Sequence, residues 1–593
     1  MGTLIISLSV VASFFCAENN TNEKRQNSHK RGEDLAKQNL LRTRYQNKYI
    51  ITRRTPMEKM QKKEYFKTLD RRSFLKVAGI TAGGAIIGGT LPLFSISNSK
   101  AKTGGELKAA IVGVAKIDTF DPALIIDIAN WQIAWGIYNS LVKFDGEMNI
   151  ISDLAKSWEI HDPTAYIFHL KRGILFHDGN ECTAEDVKFS LERIMDPSTG
   201  AIAASKFSEI KEILPQDKYT VVIKTKKPFA PLLFYLANTR TASQIVSKKA
   251  IQKYGKDFGA HPVGTGPFKF AEWKPGAYVT LEKFKSYINK GLPYLDKIIF
   301  PLIPEEVSGT SALIAGDVHA INVVSPSMAK QLEKEKNTKL YTKPGLNFRF
   351  IMLNLKQKPF EDMFLRQAFA HAINRKELID VVYSGDAVES IGPIPPALKW
   401  VYDPTLLEQT FNPEKARALL RKSKYSKREI NDMAIYLEGY GTGWWKRFAE
   451  VASYQISQVL GIEIKPRISE YGAVVERVKV GSYSMCVSGL LGPVEVDEYL
   501  YDNYHTMGSL NQRFNRNYSN KEVDRLLDKG REIINLEERA NYYKKAQKTI
   551  VEEAPDIFCF HANISQAFRE NIKGFVQTAY NGYGAQLEEV WIE

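Results

Sequence analysis

The histidines are the first side chains to test for chemistry. The chain of 593 residues has nine, and His161, His169 and His177 fall every eight residues. That spacing suits neither one helix face nor the His-Glu-x-x-His pair of a zinc helix, so strand packing and turn hydrogen bonds are the expected roles. A nucleophile elbow needs Gly-x-Ser-x-Gly, and Gly309-Thr310-Ser311-Ala312-Leu313 fails at its last position. Gly264-Thr265-Gly266 suggests a phosphate loop, but no Gly-Lys-Ser/Thr ending follows and the chain runs straight into Phe268-Lys269-Phe270. Glu305-Glu306 and Glu552-Glu553 read as solvated helix or loop charges. The four cysteines, Cys16, Cys182, Cys486 and Cys559, form no Cys-x-x-Cys. Buried free thiols are expected, with a Cys486–Cys559 pair left open. Nothing here supports catalysis, a metal or a cofactor. Arg240 and Arg349 carry guanidinium forks that could meet a carboxylate, although exposed arginines are usually just solvated.

The formal charge of +14 invites a nucleic-acid partner, but its placement argues otherwise. Residues 1–101 hold 18 of the 81 Lys/Arg and 7 of the 67 Asp/Glu, leaving 63 basic against 60 acidic in the body. The excess belongs to the leader, and no nucleic acid is expected. Leu4 to Phe15 is a short apolar run without a preceding charge. Residues 1–56 read as an extension, with translation from Met57 or Met60 as the alternative, because a better signal follows. Asp70-Arg71-Arg72-Ser73-Phe74-Leu75-Lys76 resembles the twin-arginine export motif, and the apolar segment Val77 to Ile96 leads to a small, polar exit. Residues 57–102 are therefore expected to be a cleaved signal with processing between about Ser97 and Thr103. No cysteine follows that would carry a lipid.

The elements come next. Hydrophobic content of 44% is ordinary for a globular body, and this length predicts two or more domains. Tyr166, Phe168 and Leu170 alternate with Ile167 and His169, which predicts a strand with one buried face. Lys171-Arg172-Gly173 should turn it into a second short run at Ile174 to Phe176. Thr183 and Asp186 form a capping box ahead of a helix whose apolar side is Val187, Leu191, Ile194 and Met195. Tyr219 to Thr225 reads as a strand. A long helix is expected from Pro359, on the repeat Phe364, Leu365, Ala368, Phe369, Ala372, Ile373. Asn412-Pro413 caps another helix, and Phe448 to Leu460 is helical, with Gly461 to Ile464 leaving it for a strand.

Linked blocks then identify a relationship. Ala155-Lys156-Ser157-Trp158-Glu159, Phe168-His169-Leu170-Lys171-Arg172-Gly173, Phe176-His177-Asp178-Gly179 and Thr183-Ala184-Glu185-Asp186-Val187 stand in the order of a signature. Val263-Gly264-Thr265-Gly266-Pro267-Phe268 and Arg366-Gln367-Ala368 with Ala372-Ile373-Asn374-Arg375 add further matches. The chain resembles the family 5 extracellular solute-binding proteins of ABC importers, which bind peptides, dipeptides or nickel, over about residues 104–593. The resemblance implies an α/β, bilobal periplasmic-binding-protein-like fold (type II) with an inserted domain. Lobe I would comprise 104–146, 265–345 and 555–593, the inserted domain 147–264, and lobe II 346–554. It further implies a periplasmic monomer that closes about a hinge on a peptide or other small polar solute. Its partners would be the permease subunits in the inner membrane and, during export, the twin-arginine translocase. A secreted hydrolase, or a chaperone-like or haem-carrying binder on the same scaffold, are the alternatives.

Site residues follow from the same resemblance. Peptide-binding relatives carry, after a strand ending in Gly-Trp, an Asp that takes the peptide's amino terminus. Here that loop is similar to Gly489-Leu490-Leu491-Gly492-Pro493, which puts Leu490 at the Trp position and Pro493 at the Asp position. A shift of the alignment brings in Glu495 or Asp497. Trp444 and Trp445 offer rings on a loop that the family places near the cleft. A proline at the anchor predicts weak binding of unmodified peptides, because a charge-assisted hydrogen bond of about 1.5–3 kcal/mol is lost.

Overall fold

Two long antiparallel strands, Thr338–Leu353 and Asp556–Arg569, form the spine of the protein. The computed structural model describes residues 101–593 apart from 239, 407–408, 442, 580–581 and 584–586. The leader and the segment with Arg71, Arg72, Phe74 and Leu75 lie outside the described residues. The two strands sit in the middle of an 11-stranded sheet. On one flank follow Ala320–Ile321, Glu106–Val112, Lys297–Ile303, Tyr278–Lys283 and Phe268–Lys274; on the other, Met485–Leu490, Tyr436–Tyr440 and Lys465–Ser469, while the eleventh strand, Ala387–Glu389, pairs with Asp556–Arg569 off this path. Only these two strands are shared by both flanks. Their pairing shifts register between Pro344 and Asn347 and again between Arg349 and Phe350, which bends the ribbon where one flank hands over to the other.

The sequence of the first strand encodes this change. Residues 345–353, Gly-Leu-Asn-Phe-Arg-Phe-Ile-Met-Leu, are all buried, whereas residues 339–344 are exposed or half-buried. A near-continuous buried run fits a strand covered on both faces; its own two partners are antiparallel, and parallel pairs occur further out in each flank. Glu106–Val112 pairs parallel with Lys297–Ile303, and Tyr436–Tyr440 pairs parallel with both Lys465–Ser469 and Met485–Leu490. The architecture is mixed α/β.

A separate four-stranded antiparallel sheet holds Ala155–Asp162, Ala165–Leu170, Thr220–Thr225 and Ile210–Asp217, in that spatial order. Tyr166, Phe168 and Leu170 are buried, as the alternation predicts. Ile174 to Phe176 is not a strand, however. It makes one isolated bridge, Leu175 to Glu181, because Ala165–Leu170 is already paired on both edges. Helix Ala184–Met195 starts at the capping box: the Asp186 carboxylate accepts from the Thr183 backbone N–H at 3.0 Å.

Two helix expectations are corrected. The long helix from Pro359 is two helices, Met363–Ala372 and Arg375–Tyr383, the first capped by Asp362, which accepts from Phe364 N at 2.9 Å. Buried Arg375 separates them by donating Nη1 to the carbonyls of Ala370 and Ile373, which the first helix leaves open at its end. Trp444 and Trp445 lie in the first turn of a helix, Gly443–Leu460, and not on a loop. Cys182, Cys486 and Cys559 are buried free thiols. Among the described residues no helix is long and apolar enough to cross a membrane.

Candidate functional site

A cavity of about 260 Å³ opens between the two flanks of the large sheet. One wall comes from the Pro122–Trp131 segment, Ile202 to Lys206 and the turn Asn238 to Ala242; the other from Leu491, Gly492, Pro493 and Glu498. Trp131 reaches it from helix Ile128–Ile137, which Asp127 caps by accepting from Ala129 N at 3.0 Å.

The walls are joined by polar contacts. Arg240 follows helix Pro231–Ala237, and its Nη1 donates to the carbonyls of Leu491 and Gly492, each at 3.2 Å. Gly492 has φ +62°, and a Cβ there would come within 2.9 Å of that nitrogen. Glycine is thus required twice over, for the backbone conformation and for the approach of the guanidinium. Lys206 lies 3.0 Å from Glu498 and 3.4 Å from Asp502. Burial opposes its charge, but Glu498, Tyr235 and Asp502 outweigh burial and hold the ammonium pKa well above its ordinary value. Further out, Ala230 N donates to Arg531 O at 2.7 Å. Away from the cavity lining, Glu147 meets both Lys399 and Lys343, the latter at 3.0 Å.

Arg349 lies on the spine strand at the second register shift and is 3% exposed. Both of its hydrogen bonds leave from Nη1, to Phe348 O at 3.1 Å and Leu490 O at 3.0 Å, while its buried Nε has no acceptor in the protein. The guanidinium stands 5.1 Å from the Trp444 ring and 5.5 Å from the Trp445 ring, and the two indoles stack at 3.9 Å. Burial lowers its pKa below the ordinary arginine value, with Tyr383, Tyr440 and Tyr499 partly offsetting the effect. Gly489, opposite Arg349 in the neighbouring strand, leaves room for it: a Cβ there would meet Nη1 at 2.8 Å. A glycine inside a strand pattern signals close approach of another group, which the sequence reading did not use.

Of the sequence-predicted residues, the structure therefore brings Arg240 and Pro493 to the cavity wall. Leu490 is next to it, with its carbonyl held by Arg349. Arg349, Trp444 and Trp445 form one cluster beside the same loop. Glu495 and Asp497 do not line the cavity. Glu495 is fully buried against Arg539 at 2.5 Å, and Asp497 faces Arg531 at 2.8 Å and accepts from the Tyr543 hydroxyl at 3.1 Å. Lys206 and Glu498 were missed, since a lysine after Ala203-Ala204-Ser205 and an acid in the run Glu495 to Glu498 carry no local signal.

His177 and the Gly-Thr-Gly stretch explain each other. Gly264 N donates to His177 Nδ1 at 3.4 Å, and His177 Nε2 is 3.0 Å from Gly266 O. A Cβ on Gly264 would lie 2.2 Å from Ile137 O, and one on Gly266 2.5 Å from Ile137 C. The glycines admit the end of helix Ile128–Ile137; they do not cradle a phosphate. Burial lowers the His177 pKa to about 4, so the imidazole is neutral in this contact. His161 and His169 both contact the Glu159 carboxylate on the exposed side of the smaller sheet.

Residues 149–511 match the family model described as bacterial extracellular solute-binding proteins, family 5 middle. The glutathione-binding protein GsiB of Escherichia coli O6:K15:H31 is 30% identical over 484 residues, spanning 79% of this chain and 92% of that protein. Among solved structures, the ABC transporter-associated periplasmic binding protein DppA from Helicobacter pylori, in complex with the peptide STSA, is 27% identical with a TM-score of 0.68. That match covers 83% of this chain and 99% of DppA. The binding protein AgaA from A. tumefaciens R10, in complex with agropinic acid, is 28% identical with a TM-score of 0.66, covering 82% and 99%. These relatives are binding proteins, and the spine strands, the cavity between the flanks and the matched span agree: the chain belongs to the family 5 bacterial extracellular solute-binding proteins, the substrate-binding components of ABC transporters.

Proposed function

We propose that this protein captures a small peptide-like or opine-like solute in the cavity between its flanks and delivers it, closed, to the permease of an ABC importer. The observation that carries this reading is the bridged cavity. Two shared strands with register shifts form the hinge, and the contacts of Arg240, Lys206 and Ala230 across the gap define a closed form that a ligand stabilises. Lobe I (104–146, 265–345 and 555–593) and lobe II (346–554) then move as bodies about the spine, with the 147–264 domain carried by lobe I.

Arg349, with its unfilled donors against Trp444 and Trp445, and Arg240 at the cavity wall suit the carboxylate end of such a solute. Glutathione, tetrapeptides such as STSA and agropinic acid, the ligands named for relatives, all fit this description. Twin-arginine export through Arg71-Arg72 would place the mature monomer in the periplasm, with no catalytic step. Calorimetry of the purified mature chain with glutathione, STSA and agropinic acid is the direct test. Micromolar or tighter binding of one of them with a smaller scattering radius is expected; binding without any change of radius would refute hinge closure.

A further inference from the structure

The polar groups around the cavity divide by role: the side-chain acceptors and the loop carbonyls are engaged, and two donors are open. Arg240 Nη1 donates to the carbonyls of Leu491 and Gly492, and the Tyr499 hydroxyl donates to that of Pro493. Glu498 gives its Oε1 to Lys206, and its Oε2 is sealed from solvent. Asn238 Oδ1 accepts from Arg240 N at 3.0 Å. That bond fixes the carboxamide, because the backbone N–H needs the oxygen, and it leaves Nδ2 unused. Asn238 Nδ2 and the Trp131 indole Nε1 meet no acceptor among the described residues, and neither nitrogen is shut off from solvent. Both residues line the cavity and are only 4% and 3% exposed, so these donors are held in place before a solute arrives.

Charge does not call for an amine here either. Arg240 and Lys206 stand against Glu498 and Asp502, two cations for two carboxylates. An ammonium would enter with no open side-chain acceptor to replace its water. A carbonyl oxygen would instead meet donors already set among Ile125, Ile202 and Leu491. We infer that Trp131 Nε1 and Asn238 Nδ2 donate to acyl oxygens of the solute, and that the solute is an N-acylated amino acid or peptide, its amine masked as an amide. The inference rests on the reading of this cavity as the solute site and deepens it. It also goes beyond the expectation drawn from Pro493, which concerns a lost anchor and names no group in its place.

The test pairs a change in the protein with a change in the ligand. Glutathione and STSA are titrated calorimetrically, each as the free amine and as its N-acetyl form, into the wild type, Trp131→Phe and Asn238→Asp. The wild type should bind the acetylated forms about ten- to hundredfold more tightly, since an ammonium leaves its hydrogen bonds unmade there. Trp131→Phe removes the N–H and keeps an aromatic ring, so it should weaken the acetylated forms about tenfold and the free amines little. Asn238→Asp keeps the oxygen that Arg240 N needs and turns the donor into an acceptor, so it should reverse the preference toward the free amine. Equal loss for both ligand forms in Trp131→Phe, with an unchanged preference in Asn238→Asp, would show that the two residues only shape the wall, and the inference falls. Wild-type binding that ignores acetylation, or favours the free amine, overturns it while leaving the solute-binding reading intact. Failure of every probe to bind folded wild type overturns both.

Discussion

Lys206→Met should shift the protein toward its open form. The ammonium lies 3.0 Å from Glu498 and 3.4 Å from Asp502, across the cavity from its own backbone. At an effective dielectric constant near 20, those distances correspond to about 5.5 and 4.9 kcal/mol of gross attraction. Desolvation cancels much of this: the lysine side chain keeps 24% of its exposure and the carboxylates 19% and 23%. Removing one partner of a fully buried pair costs about 3–5 kcal/mol, so about 1.5–3 kcal/mol is a reasonable loss for this partly buried one. The contact exists only when the walls meet, and the whole loss falls on the closed state. The closed-to-open ratio should drop about ten- to hundredfold, and the apparent Kd should rise by a similar factor. The Lys206 ammonium also stands 5.3 Å from the Tyr235 ring centre, a cation–π contact that methionine removes as well. Small-angle scattering of the ligand-free variant should give a larger radius than the wild type, and calorimetry with glutathione or STSA a weaker Kd. A variant with lower thermal stability but unchanged radius and Kd would show that the pair holds the fold and not the closure, and the argument would be wrong.

Three other outcomes follow from the same structure. Glu495→Gln leaves Arg539 buried with its charge uncompensated and should cost about 3–5 kcal/mol in urea unfolding, while the Glu495→Gln/Arg539→Met double variant should recover much of it; an unchanged midpoint in the single variant would contradict this. The hydrogen bonds and charges of Lys399 and Lys343 hold the Glu147 carboxyl down at about 2. A depressed folded pKa means that its contribution is present above the ordinary glutamate value near 4.5 and is lost as pH falls through about 2. Because the group is exposed, the difference between wild type and Glu147→Gln should stay under about 1 kcal/mol and vanish at the acid end of that window; a gap that persists at pH 2 would refute the assignment. Replacement of both Arg71 and Arg72 by lysine should leave precursor in the cytoplasm, as read by fractionation and immunoblot, and normal export would rule out the twin-arginine route.

Much of the scaffold was legible because local physics decides it. The alternation at Tyr166 to Leu170, the Thr183–Asp186 box and the Asn412-Pro413 cap all form where their patterns place them, as each needs only neighbours in sequence. Ile174 to Phe176 failed as a strand for a non-local reason, the prior occupation of both edges of its neighbour. The split after Ala372 was equally hidden, since it depends on a buried Arg375 turning back on helix-end carbonyls. Arg240 and Arg349 were found on side-chain chemistry alone, but what distinguishes them is tertiary. Arg349 matters because its partners are carbonyls and indoles and its Nε is unfilled, and no spacing in sequence encodes that. Glu495 and Asp497 were drawn in by their nearness to the loop, whereas their burial and pairing with Arg539 and Arg531 are decided by residues some forty positions away.

The bridging contacts also separate closure from recognition. Arg240 bonds to the carbonyls of residues 491 and 492, which any side chain at 491 would present, so that contact constrains only Gly492. Tyr499 holds the carbonyl of Pro493 in the same manner, its hydroxyl donating at 2.9 Å. The side chains of Leu491 and Pro493 face the cavity without being part of either bond, whereas Lys206 and Glu498 serve the gap and the cavity together. Substitutions at Leu491 and Pro493 can therefore alter the shape offered to a solute while the walls still close. Substitutions at Lys206 and Glu498 alter closure and charge at once. Fine selectivity among solutes should reside in the first pair, and the stability of the closed form in the second.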